Sequence, residues 1–313
     1  MIVSVTMNPS VDISYHLDEF ILNEVNRVAH VSKTAGGKGL NVARVIHLLD
    51  VPVTATGILG GTLGTFIENQ LDRDGIAHDF LKTNQESRNC IAILHEGKQT
   101  EILEAGPHFS TKEKNEFLTH FGKFLKAGNI ITISGSLPRG FDASVYTEMI
   151  RLASEQQIPV LLDCSGKVLE QVLKAKKAMP DLIKPNIDEL NQLLGKKLHA
   201  ENLDGLKTAL ADPLFADIEW VVVSLGAKGA FVKHNDTYFQ VKIPSVQVVN
   251  PVGSGDSVVA GLAAAMLQGK SVEDIMKTAM TTGVLNAMET QTGYVNKAKF
   301  DLIFQQVEVI EMK

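Results

Sequence analysis

The run Ile130-Ile131-Thr132-Ile133-Ser134, a helical apolar pattern over 143–155 and then Pro159-Val160-Leu161-Leu162-Asp163 read as strand, crossover helix, strand. Both runs are short, β-branched and almost wholly apolar, as strands buried on both faces are, and the helix between them lets the second strand lie parallel to the first. Outward from this unit the alternation repeats. Further strand candidates lie at 2–7, 53–59 and 220–224, with helical periodicity at 40–49, 65–74, 168–176, 188–194, 257–267 and 272–288. The expected architecture is one α/β domain over 1–313, a doubly wound, mostly parallel sheet flanked by helices.

Two regions break the rhythm, 11–33 and 87–104, where β-prone residues run without a helical pattern. In the second, 89–95 and 99–104 flank Glu96-Gly97-Lys98, a hairpin signal. A small β-sheet lid inserted into the first half is expected, shielding a cleft at the carboxyl ends of the parallel strands, where open α/β sheets bind ligands. On pattern alone these strands could instead extend the main sheet.

Of the 313 residues, 44% are hydrophobic and 21% charged, which supplies a large core and excludes disordered, collagen-like and disulfide-stapled classes. The net charge of −6 implies no basic surface for nucleic acid, so an anionic substrate needs a local cationic pocket. Cys90 and Cys164 sit in apolar stretches with no CxxC pair, as inert thiols of a reducing compartment do. The N-terminal run is too short and uncharged for a secretory signal, and the longest near-apolar run, 258–267, falls short of a membrane span. A soluble cytoplasmic protein is expected.

The densest chemical signal is Asn250-Pro251-Val252-Gly253-Ser254-Gly255-Asp256 ahead of an apolar helical run. Two glycines around a serine let successive amides converge, and the helix N-terminus behind them adds positive potential, so an oligophosphate or a migrating phosphoryl group would suit the nest. Asp256 in the first turn reads either as a catalytic carboxylate or as a helix cap. A second cluster, Gly36-Gly37-Lys38-Gly39-Leu40-Asn41, also opens a helix and combines backbone approach with a cation. In Lys184-Pro185-Asn186-Ile187-Asp188-Glu189, Asn186 and Glu189 share a face and could hold a hydrated Mg²⁺, or form a capping box. Ser224-Leu225-Gly226-Ala227-Lys228-Gly229 closes a strand with a glycine turn able to expose amides. No Walker A loop, G-x-G-x-x-G fingerprint, zinc spacing or serine nucleophile elbow is present.

In this order, the four elements together resemble the ribokinase-like (PfkB) family of carbohydrate kinases, with Gly36 to Asn41 like its first signature and Gly253 to Asp256 like its second. The opening Thr6-Met7-Asn8-Pro9-Ser10-Val11-Asp12 and Gly39-Leu40-Asn41-Val42-Ala43-Arg44 are similar to the branch acting on hexose phosphates. Asn250, Pro251 and Ser254 depart from the family's usual Asp-Thr-x-Gly-Ala-Gly-Asp. The resemblance implies ATP as co-substrate, Mg²⁺ as cofactor and a ketohexose phosphate as acceptor: D-tagatose 6-phosphate converted to the 1,6-bisphosphate, with fructose 1-phosphate phosphorylated at C6 as the runner-up. A catalytically inactive sugar-phosphate sensor is the alternative from another class.

The same resemblance implies residue roles. Asp256 would be the general base, and Gly253, Ser254 and Gly255 would give amides to the transferring group. Asp12, Gly37 and Asn41 would meet the sugar, and Lys38, Arg88, Arg139 and Arg27 its phosphate. Lys184, Asn186, Ser224, Gly226 and Gly229 would meet the nucleotide phosphates, Gly283 and Asn286 would border the adenine, and Asn186 with Glu189 would hold the metal through water. No nucleic acid or membrane partner is implied. Apolar exposure on the lid suggests pairing of two copies, which a strict monomer in light scattering would exclude.

Overall fold

The computed structural model describes residues 1–312. In chain order its strands are β1 (Ile2–Thr6), β2 (Ser10–Leu17), β3 (His30–Gly36), β4 (Val53–Gly60), β5 (Ala77–His78), β6 (Leu81–Thr83), β7 (Arg88–His95) and β8 (Lys98–Leu103). They continue with β9 (Ile130–Ser134), β10 (Val160–Asp163), β11 (Leu182–Ile183), β12 (Trp220–Ser224), β13 (Ala230–His234), β14 (Thr237–Lys242) and β15 (Glu308–Met312). The main sheet runs β5-β4-β1-β9-β10-β11-β12-β13-β14-β15, with β6 also paired to β4. Pairings from β5 to β12 are parallel, and β13, β14 and β15 join antiparallel.

Every residue of β1 and β9 is buried, because helices cover both faces of the sheet. Alternate side chains feed two cores: Val3, Val5, Ile131 and Ile133 on one face, Ile2, Ile130 and Leu161 on the other. The chain steps outward from β1 to β4 and β5, then returns on the far side of β1 at β9. The carboxyl ends of β1 and β9 therefore flank the point where strand order reverses, the crevice in which doubly wound sheets hold ligands.

A separate four-stranded sheet, β3-β2-β7-β8, forms from the two regions that broke the alternation. Its β7–β8 turn places Glu96 and Gly97 both at positive φ (49° and 71°), the backbone of a tight hairpin turn. One face lays Val11 and Ile13 against the core, with Tyr15 and Ile91 partly buried beside them. The other carries Asp12 opposite Cys90. Val31, Ile102 and Leu103 remain exposed on this sheet, as do Ile21, Leu22 and Val25 in the connection between β2 and β3.

The strands read at 130–134 and 220–224 match β9 and β12, and the others differ by a residue or two at their ends. Helices Thr111–Phe121 and Leu203–Leu210 and the antiparallel edge β13–β15 went unread. Thr111–Phe121 is largely polar, anchored by Phe117 and Phe121 one turn apart and started by a Ser110–Glu113 capping box. Among the described residues no helix is long and apolar enough to cross a membrane.

Candidate active site

The 250–256 loop is braced from both sides. Asn250 Oδ1 accepts from the Val252 amide (3.0 Å), and its Nδ2 donates to the Thr290 carbonyl (3.0 Å). Asn286 is fully buried: its Nδ2 donates to the Val252 carbonyl (2.9 Å) and to Ser254 Oγ (3.2 Å), and its Oδ1 accepts from the Gly293 amide (2.8 Å). Gly253 N-caps helix Ser254–Leu267 at φ 82°, and a Cβ there would stand 2.6 Å from Thr292 Cγ2, so glycine is required twice over. The amides of Gly253, Gly255 and Asp256 have no acceptor among the described residues, whereas Ser254 N–H is already given to the Pro251 carbonyl (3.2 Å). Of the expected amides 253, 254 and 255, those of Gly253 and Gly255 are thus left unpaired and that of Ser254 is not, while the Asp256 amide joins them at the positive end of the helix.

Asp256 is 6% exposed and accepts from Asn41 Nδ2 at 2.9 Å. Burial, reinforced by the nearby Asp163 charge, pushes its carboxyl up to about 6, against the opposing pull of Lys38, Asn41 and Lys184. Asp163, which the sequence reading passed over, is the last residue of β10 and is buried between two amines: Lys38 Nζ at 3.5 Å from Oδ2 and Lys184 Nζ at 3.5 Å from Oδ1. Burial opposes its ionisation, yet Lys184 and Lys38 together hold it below the usual carboxylate range. Lys38 is in turn raised, chiefly by Asp163, and so stays charged, with its side chain still 41% exposed toward the crevice. Its helix begins opposite the end of β9, where a Cβ on Gly135 would make ordinary contact with Lys38 Cβ at 3.5 Å.

On the side of the small sheet, Asp12 accepts from Ser10 Oγ (2.6 Å), and burial raises its carboxyl. Both glycines ahead of Lys38 are closely packed by the chain itself. A Cβ on Gly36 would fall within 2.0–2.2 Å of the Asp12 carboxyl, whereas one on Gly37 would meet Thr6 and Pro9. Arg88 Nη1 donates to the Glu104 carbonyl (2.8 Å) and Arg139 Nε to that of Gly106 (3.0 Å), so the two cations converge on one short segment. Arg27 is exposed in the 18–29 connection between β2 and β3.

On the far side, a parallel bridge between Asn186 and Ser224 prolongs the β11–β12 pairing past the strand ends. Asn186 and Glu189 form a reciprocal capping box, Glu189 Oε2 accepting from the Asn186 amide (2.9 Å) and Asn186 Oδ1 from that of Glu189 (2.8 Å). Gly229, at φ 85°, packs against the Val241 carbonyl, while Gly226 at φ 59° faces open space. Gly283 and Asn286, expected to border a base, are buried instead. A Cβ on Gly283 would lie 2.7 Å from Val258 Cγ2, so that glycine lets the last two long helices pack closely, and the hydrogen bonds of Asn286 go to the nest and the Gly293 loop. Lys184 stands over the nest, its Nζ 3.2 Å from where a Gly255 Cβ would be.

A carboxylate poised near neutrality, unpaired helix-end amides and two lysines beside them suit accepting a proton from an alcohol next to a polyanion. Residues 5–299 match the model of the pfkB family carbohydrate kinases. Over 312 residues, all of both chains, the sequence is 53% identical to a tagatose-6-phosphate kinase of Staphylococcus epidermidis. The phosphofructokinase-2 of Escherichia coli, solved in complex with potassium, superposes with a TM-score of 0.89 at 26% identity over 97% of this chain and 98% of that one. Its complex with fructose-6-phosphate gives 0.87 at 25% identity over the same shares. The chain belongs to the pfkB family of carbohydrate kinases, a phosphotransferase built on the ribokinase-like fold.

Proposed function

We propose that this kinase transfers the γ-phosphoryl group of ATP to the C1 hydroxyl of D-tagatose 6-phosphate, giving the 1,6-bisphosphate and ADP. The observation that carries the chemistry is Asp256, buried at the mouth of a helix with a carboxyl near 6 and three free amides at 253, 255 and 256 around it. At neutral pH it is mostly ionised yet still basic enough to take the alcohol proton as the oxygen attacks phosphorus. The amides and the charges of Lys38 and Lys184 stabilise the oxygens of the transferring group, which need electrostatic rather than covalent help. Asp12 orients the sugar hydroxyls beneath the lid, and Arg88 and Arg139 receive the phosphate already on the sugar. Ser224, Gly226 and Asn186 line the nucleotide side.

The donor set around Asn186 and Glu189 fits a hydrated Mg²⁺: each side chain spends one oxygen contact on the capping box, leaving hard oxygen capacity for ordered water. When bound there, the ion would neutralise donor phosphate charge.

The choice of tagatose 6-phosphate rests on the 53% identity to a kinase of that name. A ketofuranose bisphosphate is roughly pseudo-symmetric, so the socket and catalytic end that serve one monophosphate can receive fructose 1-phosphate reversed. ADP release measured with tagatose 6-phosphate, fructose 1-phosphate and fructose 6-phosphate tests this. The highest kcat/KM is expected with the first; a higher value with fructose 1-phosphate reassigns the acceptor, and no ADP from any of them indicates a sensor.

A further inference from the structure

Arg44, one turn after Asn41 on helix Lys38–Leu48, carries a buried charge that stability does not explain. Its Nε has no hydrogen-bond partner and lies 4.0 Å from Asp74 Oδ2, whose side chain is 31% exposed. An ion pair at that range, with one donor orphaned, returns little for the desolvation of a guanidinium. The remaining contacts are directional. Nη2 donates to the Ala35 carbonyl (2.6 Å), and Nη1 to Asn41 Oδ1 (3.1 Å) and the Thr292 carbonyl (3.4 Å).

We propose that Arg44 is a positioning residue for the catalytic base: by engaging Asn41 Oδ1, its guanidinium fixes the Asn41 amide so that Nδ2 faces the Asp256 carboxylate. A guanidinium only donates, so the end of the amide that meets it must be the oxygen, and the other end must then donate to Asp256. A flipped amide would set oxygen against carboxylate and N–H against guanidinium, two repulsions in one rotation. The 290–293 segment seals the arrangement. A Cβ on Gly293 would stand 2.9 Å from Asn41 Cβ and 3.0 Å from Arg44 Nη1, and the amide of the same glycine donates to Asn286, which braces the nest. Arg44 thus ties the orientation of the base to the loop that presents the amides.

This inference rests on Asp256 acting as the base. The charged groups acting on Asp256 are Asp163, Lys38 and Lys184, none of which the test alters, while the charge of Arg44 acts on Asp12 and Asp74. Loss of that charge can move the KM for sugar, so the reading is taken from the acid limb of the kcat–pH profile. Asn41→Ala removes the Nδ2 donor and raises that limb by roughly one unit. Arg44→Met raises it by a similar amount in the otherwise unchanged enzyme and leaves it unmoved once Asn41 is already alanine. A second rise in the double variant, or none from Arg44→Met alone, overturns the proposal. Should Arg44→Met fail to fold, Arg44→Lys carries the test. One ammonium cannot hold Asn41 and Ala35 together, so a smaller rise is expected, again absent in the Asn41→Ala background, and an unchanged limb overturns the proposal. Asp256→Asn, measured alongside, separates the two failures. If that variant keeps turnover and limb, the base itself is misassigned; if it loses both while the Arg44 and Asn41 effects add, only the positioning role falls.

Discussion

Asp163 and Asp256 are equally deep in the same polar crevice, and their carboxyls move in opposite directions. Asp163 lies between two amines and is held below the usual carboxylate range despite its burial; Asp256 has one amide donor and a like charge nearby, and rises to about 6. Burial alone would raise both. The difference is made by where Lys38 and Lys184 point, and it divides labour: a permanent anion that keeps two lysines charged and aimed, beside a carboxylate free to accept a proton.

The largest expected effect comes from removing the carboxylate that is pushed up. Asp256→Asn should lower kcat by about 10²- to 10⁴-fold while leaving nucleotide affinity nearly intact. The same change should stabilise the fold. A carboxyl raised from 3.8 to about 6 binds its proton more tightly in the folded chain, so its ionisation costs nothing below the unfolded value and the full penalty above about 6. At pH 7.5 the amide relieves up to about 3 kcal/mol, a gain that fades as pH falls from about 6 to about 4. Thermal melts across that range check the sign. A variant inactive and less stable at every pH would mean that the carboxylate is structural.

Asp163→Asn attacks the other half and should reverse the sign. Its depressed carboxyl contributes stability present above its unfolded value and lost as pH falls through the folded one, so the variant is destabilised in full at neutral pH and progressively less as pH falls below about 4. With Lys184 6% exposed and left without a counter-ion, the neutral-pH loss should reach about 3–5 kcal/mol. The like charge that raises Asp256 is removed as well, so the acid limb of kcat should move to lower pH, opposite to the shift expected for Asn41→Ala. Urea unfolding at two pH values and a kcat–pH profile read both effects, and an upward limb would contradict the pairing described for these two carboxylates.

Much of this crevice was readable because glycine clusters announce backbone that must turn or be approached. Gly253 and Gly36 occupy sites where a Cβ collides, and such sites stand out in a string of letters. The parallel core was legible for a related reason: β1 and β9 are buried on both faces and read as unbroken apolar runs. Asp163 was in view as the last letter of a recognised strand. What made it significant, Lys38 and Lys184 arriving from other crossovers, is a product of strand order and has no local signal. Arg44 hid differently: its partners, the Ala35 carbonyl, Asp74 and the Thr292 carbonyl, come from three separate segments that meet only in the fold. The β15 edge was missed because Glu308-Val309-Ile310-Glu311-Met312 is too short and irregular to show a period-two pattern and is little buried.

The smallest expected effect probes the seam between the two carboxylates. Gly255 has an ordinary helical backbone in the first turn, so alanine there gains helix propensity of up to about 1 kcal/mol and keeps the amide. The new methyl would come within 3.2 Å of Lys184 Nζ, tighter than normal contact, and an ordinary 3.7 Å from its Cε. Backbone could not yield, but the end of a lysine side chain can, by a few tenths of an ångström, and the direction open to it is away from the nest. Gly255→Ala should therefore leave the melting temperature within a few degrees of the parent while raising the KM for ATP several-fold, with kcat less affected, because the displaced ammonium meets nucleotide phosphate poorly. Steady-state kinetics at saturating sugar phosphate read the split. An unchanged KM would show that Lys184 serves Asp163 alone, and the lysine would then belong wholly to the permanent-anion half of the crevice.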